Sequence, residues 1–600
     1  MNLKLQKYLI ALFLFMINII FSTTFIIYEN EWYVYLFVLA LASSVNAASV
    51  FCIAGHKMFI ANDTKEINRL DHKNYLYVIP CYNESEKELT DSIHSLTIQR
   101  TVNNDKRALL IMCDGIATGK NNTTSTDVIL KKILNIDTKN DNKLSECYDY
   151  KTWDNDKNTV KIYNGLYTYL TETIPFILII KNTNYGKRDS LVLTRKMCFS
   201  YNNHNHNQVY FNEAEYENKD NSIITINNNI NNNNNINNNY TASENLFKYI
   251  FSHFKTIYDT NIDYIIGIDA DTIFDYNCSY ELIQGIEKDK NIHGCVGYVD
   301  ILQDPTISMY SPFILYQYGE YMFSQCLRRY TQSIVTKKVN CLSGCNQILR
   351  VSKETCGNAI LHVLNYLPMS HENIFNHIRC YASEDRNHIC HMLSMYPYVQ
   401  STQTLKAVAY TSVPMTTPVF ISQRRRWNLG AMTNDMLLVY LPNINIFERI
   451  SAFINVTTYT LSPFIFIATI FFIKALLSHP SMMMLYLSTI IFIPLFYAFL
   501  IPVFIRPLSF RNSLYYYGAY LFFLLCGSVV KLLTYGYSIL HMDVIKWGKT
   551  RAIAEPIVVA EPTVVAEPTV AEPTPTCDNG YIDIYVDNKI SVQYNSSTSV

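Results

Sequence analysis

The sequence predicts an α/β domain with a mainly parallel sheet, set between apolar segments long enough to cross a bilayer. Three observations carry that prediction. Short apolar runs bounded by polar or glycine punctuation read as buried strands: LYVIP at 76–80, ALLIMCDG at 108–115 and YIIGIDAD at 264–271. Helical stretches separate them, the alternation that gives a parallel sheet with helices on its faces. Longer apolar runs stand at both ends of the 600-residue chain, which is more than one ordinary domain needs.

Composition agrees. Apolar residues make up 49% and charged residues 16%, a balance shifted toward membrane proteins. A net charge of −1 argues against a broad basic face, so no nucleic-acid partner is expected. The 15 cysteines are scattered without paired CxxC spacing and read as free thiols in a reducing compartment. Cys341 and Cys345 stand four apart, but no His or Cys pair completes a zinc spacing.

The N-terminal run YLIALFLFMINIIFSTTFIIY (8–28) is uncharged and long enough to span, and a second apolar run covers 32–54. Two spans are favoured over a cleavable signal peptide, because no small-residue cleavage motif follows the first run. Lys4 and Lys7 precede the pair, and His56, Lys57 and Lys65 follow it. The positive-inside rule therefore puts both flanks, and the soluble middle, in the cytosol. Apolar runs return near 450–475, 482–505 and 512–541. Arg506 and Arg511 before the last run, and Lys546, Lys549 and Arg551 after it, ask for the same side. Either 512–541 takes a partly in-plane or re-entrant course, or the rule fails there.

The expected organisation is two transmembrane helices over 1–60 and a cytosolic catalytic domain over 70–435. Interfacial and transmembrane helices follow over 436–552. Residues 202–240, with NNNINNNNNINNN, interrupt the domain as an insertion too polar to fold, and the VVAEPT-type repeats after 553 read as an extended tail.

Chemistry concentrates where the strands end, the usual place for ligands in such sheets. Asp269 and Asp271 are two apart at the end of an apolar strand, so alternation would put both on one side. Such a pair suits a hard divalent cation, Mg²⁺ or Mn²⁺, that neutralises a diphosphate; a solvated strand end is the plain alternative. Tyr82 and Glu84 in PCYNE and Asp114 in IMCDG stand where a ribose or base could be met, or where loop residues cap the next helix. In NYGKRDS, Lys187 offers a point charge for phosphate, or belongs to a basic surface turn. In ASEDRNHICHML, Ser383 is a candidate N-cap with Glu384 and Asp385 in the first turn. Asp385 is also a candidate base for a sugar hydroxyl. His388 and His391 read as ordinary polar residues.

The stretch FISQRRRWNLG carries Arg424, Arg425 and Arg426 just ahead of an apolar run, a charge that topology alone would demand. If it is helical, Gln423, Arg426 and Trp427 share a face by i, i+3, i+4 spacing. Trp427 then offers a flat surface for a sugar ring and Arg426 a planar fork for phosphate.

In order, PCYNE, IMCDG, GKRDS, DAD, SEDR, QRRRW and WGKT (547–550) resemble the motifs of processive family 2 glycosyltransferases, chitin synthases most closely. SPFILYQYGEYMFSQCLRRY (311–330) is similar to the chitin-synthase stretch with QxxEY, and CLSGCNQILR (341–350) to its CLPGC segment. The resemblance covers roughly 75–550 apart from the insertion. It implies a GT-A fold between N-terminal and C-terminal membrane helices, a UDP-sugar donor and a divalent cation. The implied activity is inverting polymerisation of N-acetylglucosamine into β-1,4-linked chitin, with export through the chain's own membrane part. A hyaluronan or chito-oligosaccharide synthase is the near alternative, and an inactive transport or scaffold protein the distant one. By the same resemblance Asp385 is the catalytic base, and Gln423, Arg426 and Trp427 bind acceptor and diphosphate. Tyr82, Glu84, Asp114, Lys187, Asp269, Arg424 and Arg425 are candidates for substrate contact. Asp271 comes first, with Asp269, as metal ligand. Cys341, Leu342, Ser343, Gly344, Cys345 and Trp547 would line the acceptor path or its gate. Expected partners are the UDP-sugar, the growing chain, membrane lipid and a second copy as homodimer, in the plasma membrane or a vesicle membrane. Ser343 stands where the family has proline, SEDR replaces GEDR, and WGKT departs from WGTKG.

Overall fold

The computed structural model describes residues 2–29, 31–59, 71–102, 104–119, 122–136, 146–153, 156–205, 240–303, 308–478 and 481–544. The Asn-rich stretch over 206–239, Trp547 with the rest of WGKT, and the tail from 553 lie outside the described residues.

The chain opens with helices α1 (Leu3–Ile27) and α2 (Trp32–Phe59). Next come β1 (Asn74–Cys81), α3 (Glu86–Thr97), β2 (Lys106–Cys113), α4 (Thr126–Ile133), β3 (Glu146–Lys151), β4 (Lys157–Tyr169) and β5 (Glu172–Lys181). Then follow α5 (Lys187–Asn205), α6 (Tyr240–Ile257), β6 (Tyr264–Gly267), β7 (Thr272–Phe274), α7 (Cys278–Glu287) and β8 (Ile292–Ile301). The second half of the domain holds α8 (Pro312–Ser324), β9 (Gln347–Arg350), α9 (Lys353–Cys356), α10 (Asn358–Leu364), α11 (Ile374–Ala382), α12 (Glu384–Met395) and β10 (Gln400–Thr411). Helices α13 (Thr417–Tyr440), α14 (Ile446–Thr460), α15 (Ser462–Ser478), α16 (Met482–Leu500) and α17 (Phe510–Leu540) complete it.

Ten strands form one sheet in the order β3-β4-β5-β2-β1-β6-β9-β8-β10-β7. LYVIP lies within β1, and the apolar parts of the other two runs form β2 and β6, with Asp114 and Ile268 to Asp271 past the strand ends; β1 and β2 are buried almost throughout because apolar clusters pack on both faces. The sheet is mixed, not mainly parallel as expected. Its centre, β5-β2-β1-β6, and the β8–β10 pair are parallel, while β3, β4, β9 and β7 pair antiparallel. The β4–β5 link is Leu170 and Thr171 alone, and so short a turn permits only antiparallel pairing.

Three described helices are long and apolar enough to cross a membrane: Leu3–Ile27, Met482–Ile505 and Phe510–Leu540. The second expected N-terminal span, α2, is also one helix. The break among the apolar helices falls outside 512–541. α17 is continuous, whereas α14 and α15 meet at 81° around Leu461. Pro463 explains the position, since it lacks an N–H and disfavours helix in the residue before it. Asn18 of α1 repairs the break, its Nδ2 donating to the Thr460 carbonyl (2.9 Å) and its Oδ1 accepting from Phe464 N–H (3.1 Å). An amide buried among apolar helices is stable only with such partners.

The sheet is fastened directly to these helices. Tyr298 and Ile301 of β8, with Tyr316 and Met322 of α8, share one apolar cluster with Tyr497, Ile501, Tyr516 and Tyr520. Arg506, after α16, pairs with Asp300 of β8 at 3.1 Å and lies 3.9 Å from the Tyr298 ring centroid. The C-terminal end of β8 therefore sits against these apolar helices.

Candidate active site

β1 ends in Cys81, and Tyr82 to Glu84 form the turn before α3. Glu84 Oε2 accepts from the N–H groups of Tyr82 (2.7 Å) and Asn83 (3.1 Å), so this carboxylate closes its own turn. The cap of α3 comes from its neighbour, Ser85, in a capping box with Glu88. Asp114, just after β2, is buried, and its Oδ1 accepts from Lys181 Nζ (3.1 Å) and Tyr185 N–H (3.3 Å).

Lys181 and its second partner went unread in the sequence. Lys181 is fully buried at the end of β5 and also meets Asp189 at 2.7 Å and Ser190 Oγ at 2.8 Å. Asp189 in turn accepts from Tyr150 O–H (2.6 Å) and Trp153 N–H (2.7 Å). One lysine thus neutralises two carboxylates under the expected nucleotide position. Lys181→Met would leave both acids buried and uncompensated, and an expected loss of about 3–5 kcal/mol of stability would be read from thermal unfolding of the detergent-solubilised chain.

The next turn aims Lys187. Gly186 has φ +86°, a left-handed conformation in which a side chain would be strained, and α5 starts immediately after it. GKRDS is not a basic surface turn. Arg188 points inward, donating to the carbonyls of Cys380 (2.7 Å) and Tyr366 (3.1 Å), while Lys187 Nζ reaches Asp269 Oδ1 at 2.5 Å. Burial opposes the Lys187 charge, but Asp269, Asp385 and Glu384 together raise its pKa above the ordinary lysine value.

β6 stops at Gly267, so Asp269 and Asp271 lie in the turn before β7 and the pleat does not set their direction. Asp269 takes Lys187, and Asp271 Oδ2 accepts from Ser412 Oγ at 3.3 Å. No group of three or more His, Cys, Asp or Glu converges among the described residues. Two carboxylates still suit Mg²⁺ or Mn²⁺ chemically, since these ions bind through few protein oxygens beside a diphosphate.

Asp385 opens the second half of the site. α12 starts at Glu384, as predicted, but Ser383 makes no side-chain cap bond; its Oγ accepts from Asn434 Nδ2 of α13 at 3.2 Å. Asp385 Oδ2 accepts the Gly344 N–H at 3.1 Å, and Oδ1 is buried with no hydrogen-bond partner among the described residues. Burial raises the Asp385 pKa above the ordinary value; Lys187 works against this and Asp269 with it. His388 and His391 lie behind, burial lowering both pKa values and that of His391 to about 4.

The CLSGC segment packs onto the acid. Leu342 is buried with Val296, Val339 and Leu349, Ser343 Oγ accepts from Arg329 Nη2 at 3.3 Å, and Gly344 touches Asp385. Cys341 and Cys345 are half-buried free thiols. Cys345 lies in the field of Asp269, Lys187 and Asp271, though burial is what most raises its pKa.

α13 supplies the far wall. Arg424 is buried and pairs with Glu320 of α8 at 2.6 Å, and Arg425 Nη1 donates to the carbonyls of His541 (3.0 Å) and Val544 (2.7 Å) beyond α17. These two candidates for substrate contact thus hold protein groups. Arg426 lies within electrostatic reach of Glu384 and Asp269, its pKa lowered chiefly by burial. Trp427 is 44% exposed. One more ionic joint secures the wall: buried Asp435 meets Arg386, next to Asp385, and Arg328, each at 3.3 Å.

The sequence profile of the family described as chitin synthase matches residues 51–558. Chitin synthase 8 of Gibberella zeae is 30% identical over 569 residues, covering 92% of this chain and 78% of that protein. Chitin synthase 8 of Verticillium dahliae is 31% identical over 503 residues, covering 79% of this chain and 76% of that protein. Among solved structures, a mannosyltransferase from Pyrobaculum calidifontis in complex with GDP-Man and Mn²⁺ aligns with TM-score 0.36 and 9% identity, covering 81% of this chain and 99% of that one.

Proposed function

The chain belongs to the chitin synthase family and is a membrane-embedded glycosyltransferase, and on that premise we propose that it polymerises N-acetylglucosamine from UDP-N-acetylglucosamine into a β-1,4-linked chain. Transfer inverts the anomeric centre, and the product leaves through the chain's own membrane helices from a catalytic domain on the cytosolic side of the plasma membrane or a vesicle membrane. One observation carries the reading: a carboxylate with one oxygen pinned by Gly344 and the other without a hydrogen-bond partner among the described residues stands beside the Lys187–Asp269 pair.

Inverting transfer needs a base, a stabilised leaving group and a positioned acceptor. Asp385 Oδ1 takes the proton of the acceptor hydroxyl as its oxygen attacks the donor sugar's C1. The bond from C1 to the diphosphate oxygen breaks on the opposite face, and UDP departs. Lys187 and Arg426 supply positive charge for the diphosphate, and Asp114 stands at the nucleoside end. Asp269 and Asp271 would hold the divalent cation, which when bound neutralises phosphate charge. Trp427 offers the stacking face for the terminal sugar of the acceptor.

The test is substrate by substrate. Membranes containing the chain receive labelled UDP-sugars singly, with Mg²⁺ or Mn²⁺, and the product is digested with chitinase. Chitinase-sensitive polymer from UDP-N-acetylglucosamine alone is expected. Polymer that needs UDP-glucuronate as well would overturn the assignment.

A further inference from the structure

The first arginine of QRRRW has surroundings that substrate contact does not describe. Arg424 is 3% exposed. Its Nη2 donates to Glu320 Oε2 at 2.6 Å and to Gln317 Oε1 at 3.4 Å, and its Nη1 donates to Gln423 Oε1 at 2.6 Å. The guanidinium carbon lies 4.2 Å from the Trp427 ring centroid and 4.7 Å from that of Phe420. Gln317 is itself fixed, fully buried with Nε2 donating to the carbonyls of Phe313 (2.9 Å) and Pro414 (3.1 Å). The cation is therefore held from α8 and reaches Gln423 and Trp427 on its own helix α13.

Those contacts decide what Gln423 and Trp427 present. A guanidinium has donors only, so the Gln423 carbonyl oxygen must face it and the amide N–H₂ must face away. Among the described residues that N–H₂ has no partner, so the group offered outward is a donor. The guanidinium also lies against the Trp427 ring, which fixes the ring's tilt and leaves the rest of it to solvent.

We propose that Arg424, anchored by Glu320, is a positioning residue for the acceptor, setting the Gln423 amide to donate to a sugar oxygen and the Trp427 ring to stack on the terminal sugar. This rests on the acceptor reading of Trp427 given above. The oxygen that Gln423 meets belongs to a sugar hydroxyl or an acetamido carbonyl, both acceptors of an N–H. Lysine cannot replace the arginine, because a point charge on a flexible stem neither stacks on indole nor bonds two side chains in a plane.

The experiment uses the full chain in membranes with a soluble chito-oligosaccharide primer, and compares Arg424→Lys, Glu320→Gln, Glu320→Asp and Trp427→Ala. Acceptor KM is expected to rise about tenfold in Arg424→Lys and Glu320→Gln, the size of one cation–π contact plus one oriented hydrogen bond, while UDP binding persists. Glu320→Asp, which keeps the charge, should recover part of the loss. An unchanged acceptor KM in Arg424→Lys overturns the proposal, as does loss of UDP binding in step with elongation across these variants. If Trp427→Ala itself leaves acceptor KM unchanged, the acceptor reading falls. If it raises KM and Arg424→Lys does not, only the positioning role falls.

Discussion

Asp385→Asn is expected to cut chain elongation by about 10²–10⁴-fold while the chain still binds its UDP-sugar. The amide keeps the shape of the carboxylate and can still accept the Gly344 N–H through its oxygen. It cannot take a proton. Oδ1 is the atom that matters, because it is buried and has no hydrogen-bond partner among the described residues. Nothing there competes with an incoming hydroxyl. Burial raises the Asp385 pKa, which makes the ionised group a stronger base than an exposed aspartate, and Lys187 opposes the shift and favours the charged form. The acid limb of the elongation rate should therefore lie above the ordinary aspartate value of about 3.9. Rates of labelled polymer formation and equilibrium UDP-sugar binding, measured on the same membranes, separate the two effects. Elongation at the parent rate would place the base elsewhere.

Gly344→Ala should produce the second large loss, about 100-fold or more in elongation. A Cβ at this position would stand 2.5 Å from Asp385 Oδ2 and 2.8 Å from Lys187 Nζ. Both distances are below van der Waals contact, so the base, the lysine or the CLSGC backbone must move. The segment has little freedom to yield, since Leu342 is buried and Ser343 is bonded to Arg329. The added methyl also shields the Lys187 charge from the acids beside it. Turnover should fall more than UDP-sugar affinity changes, because the displaced atoms act on the acceptor and the leaving group. Parent-like turnover in this variant would mean that the segment stands away from Asp385 during catalysis.

Much of this was legible in the chain itself. β1, β2 and β6 stood out because central strands covered on both faces must be short, continuous apolar runs. β4, KNTVKIYNGLYTY, escaped notice because one of its faces is half-exposed and polar. With β4 and the four-residue β9 unread, the sheet was expected to be mainly parallel. Strand alternation predicts that Asp269 and Asp271 project to one side, but both lie in the turn between β6 and β7, where no pleat sets their direction. Charge alone leaves 512–541 either re-entrant or an exception to the positive-inside rule, whereas the bend lies at Leu461, beside Pro463 and Asn18. Lys181 had no signal at all, being a single lysine at the end of an apolar run. Arg424 was visible as a charge, but its partner Glu320 lies 104 residues away.

The sequence by itself determined the apolar spans, the central strands, the start of α12 at Glu384 and the chemical types at the site, because each depends on local composition or spacing. The tertiary structure decided which groups meet. Lys187 finds Asp269 across 82 residues, Gly344 finds Asp385 across 41, and Asn18 finds Phe464 across 446. No periodicity encodes such pairings. They follow from how buried charges and unpaired amides must be satisfied once the sheet and the membrane helices have packed together.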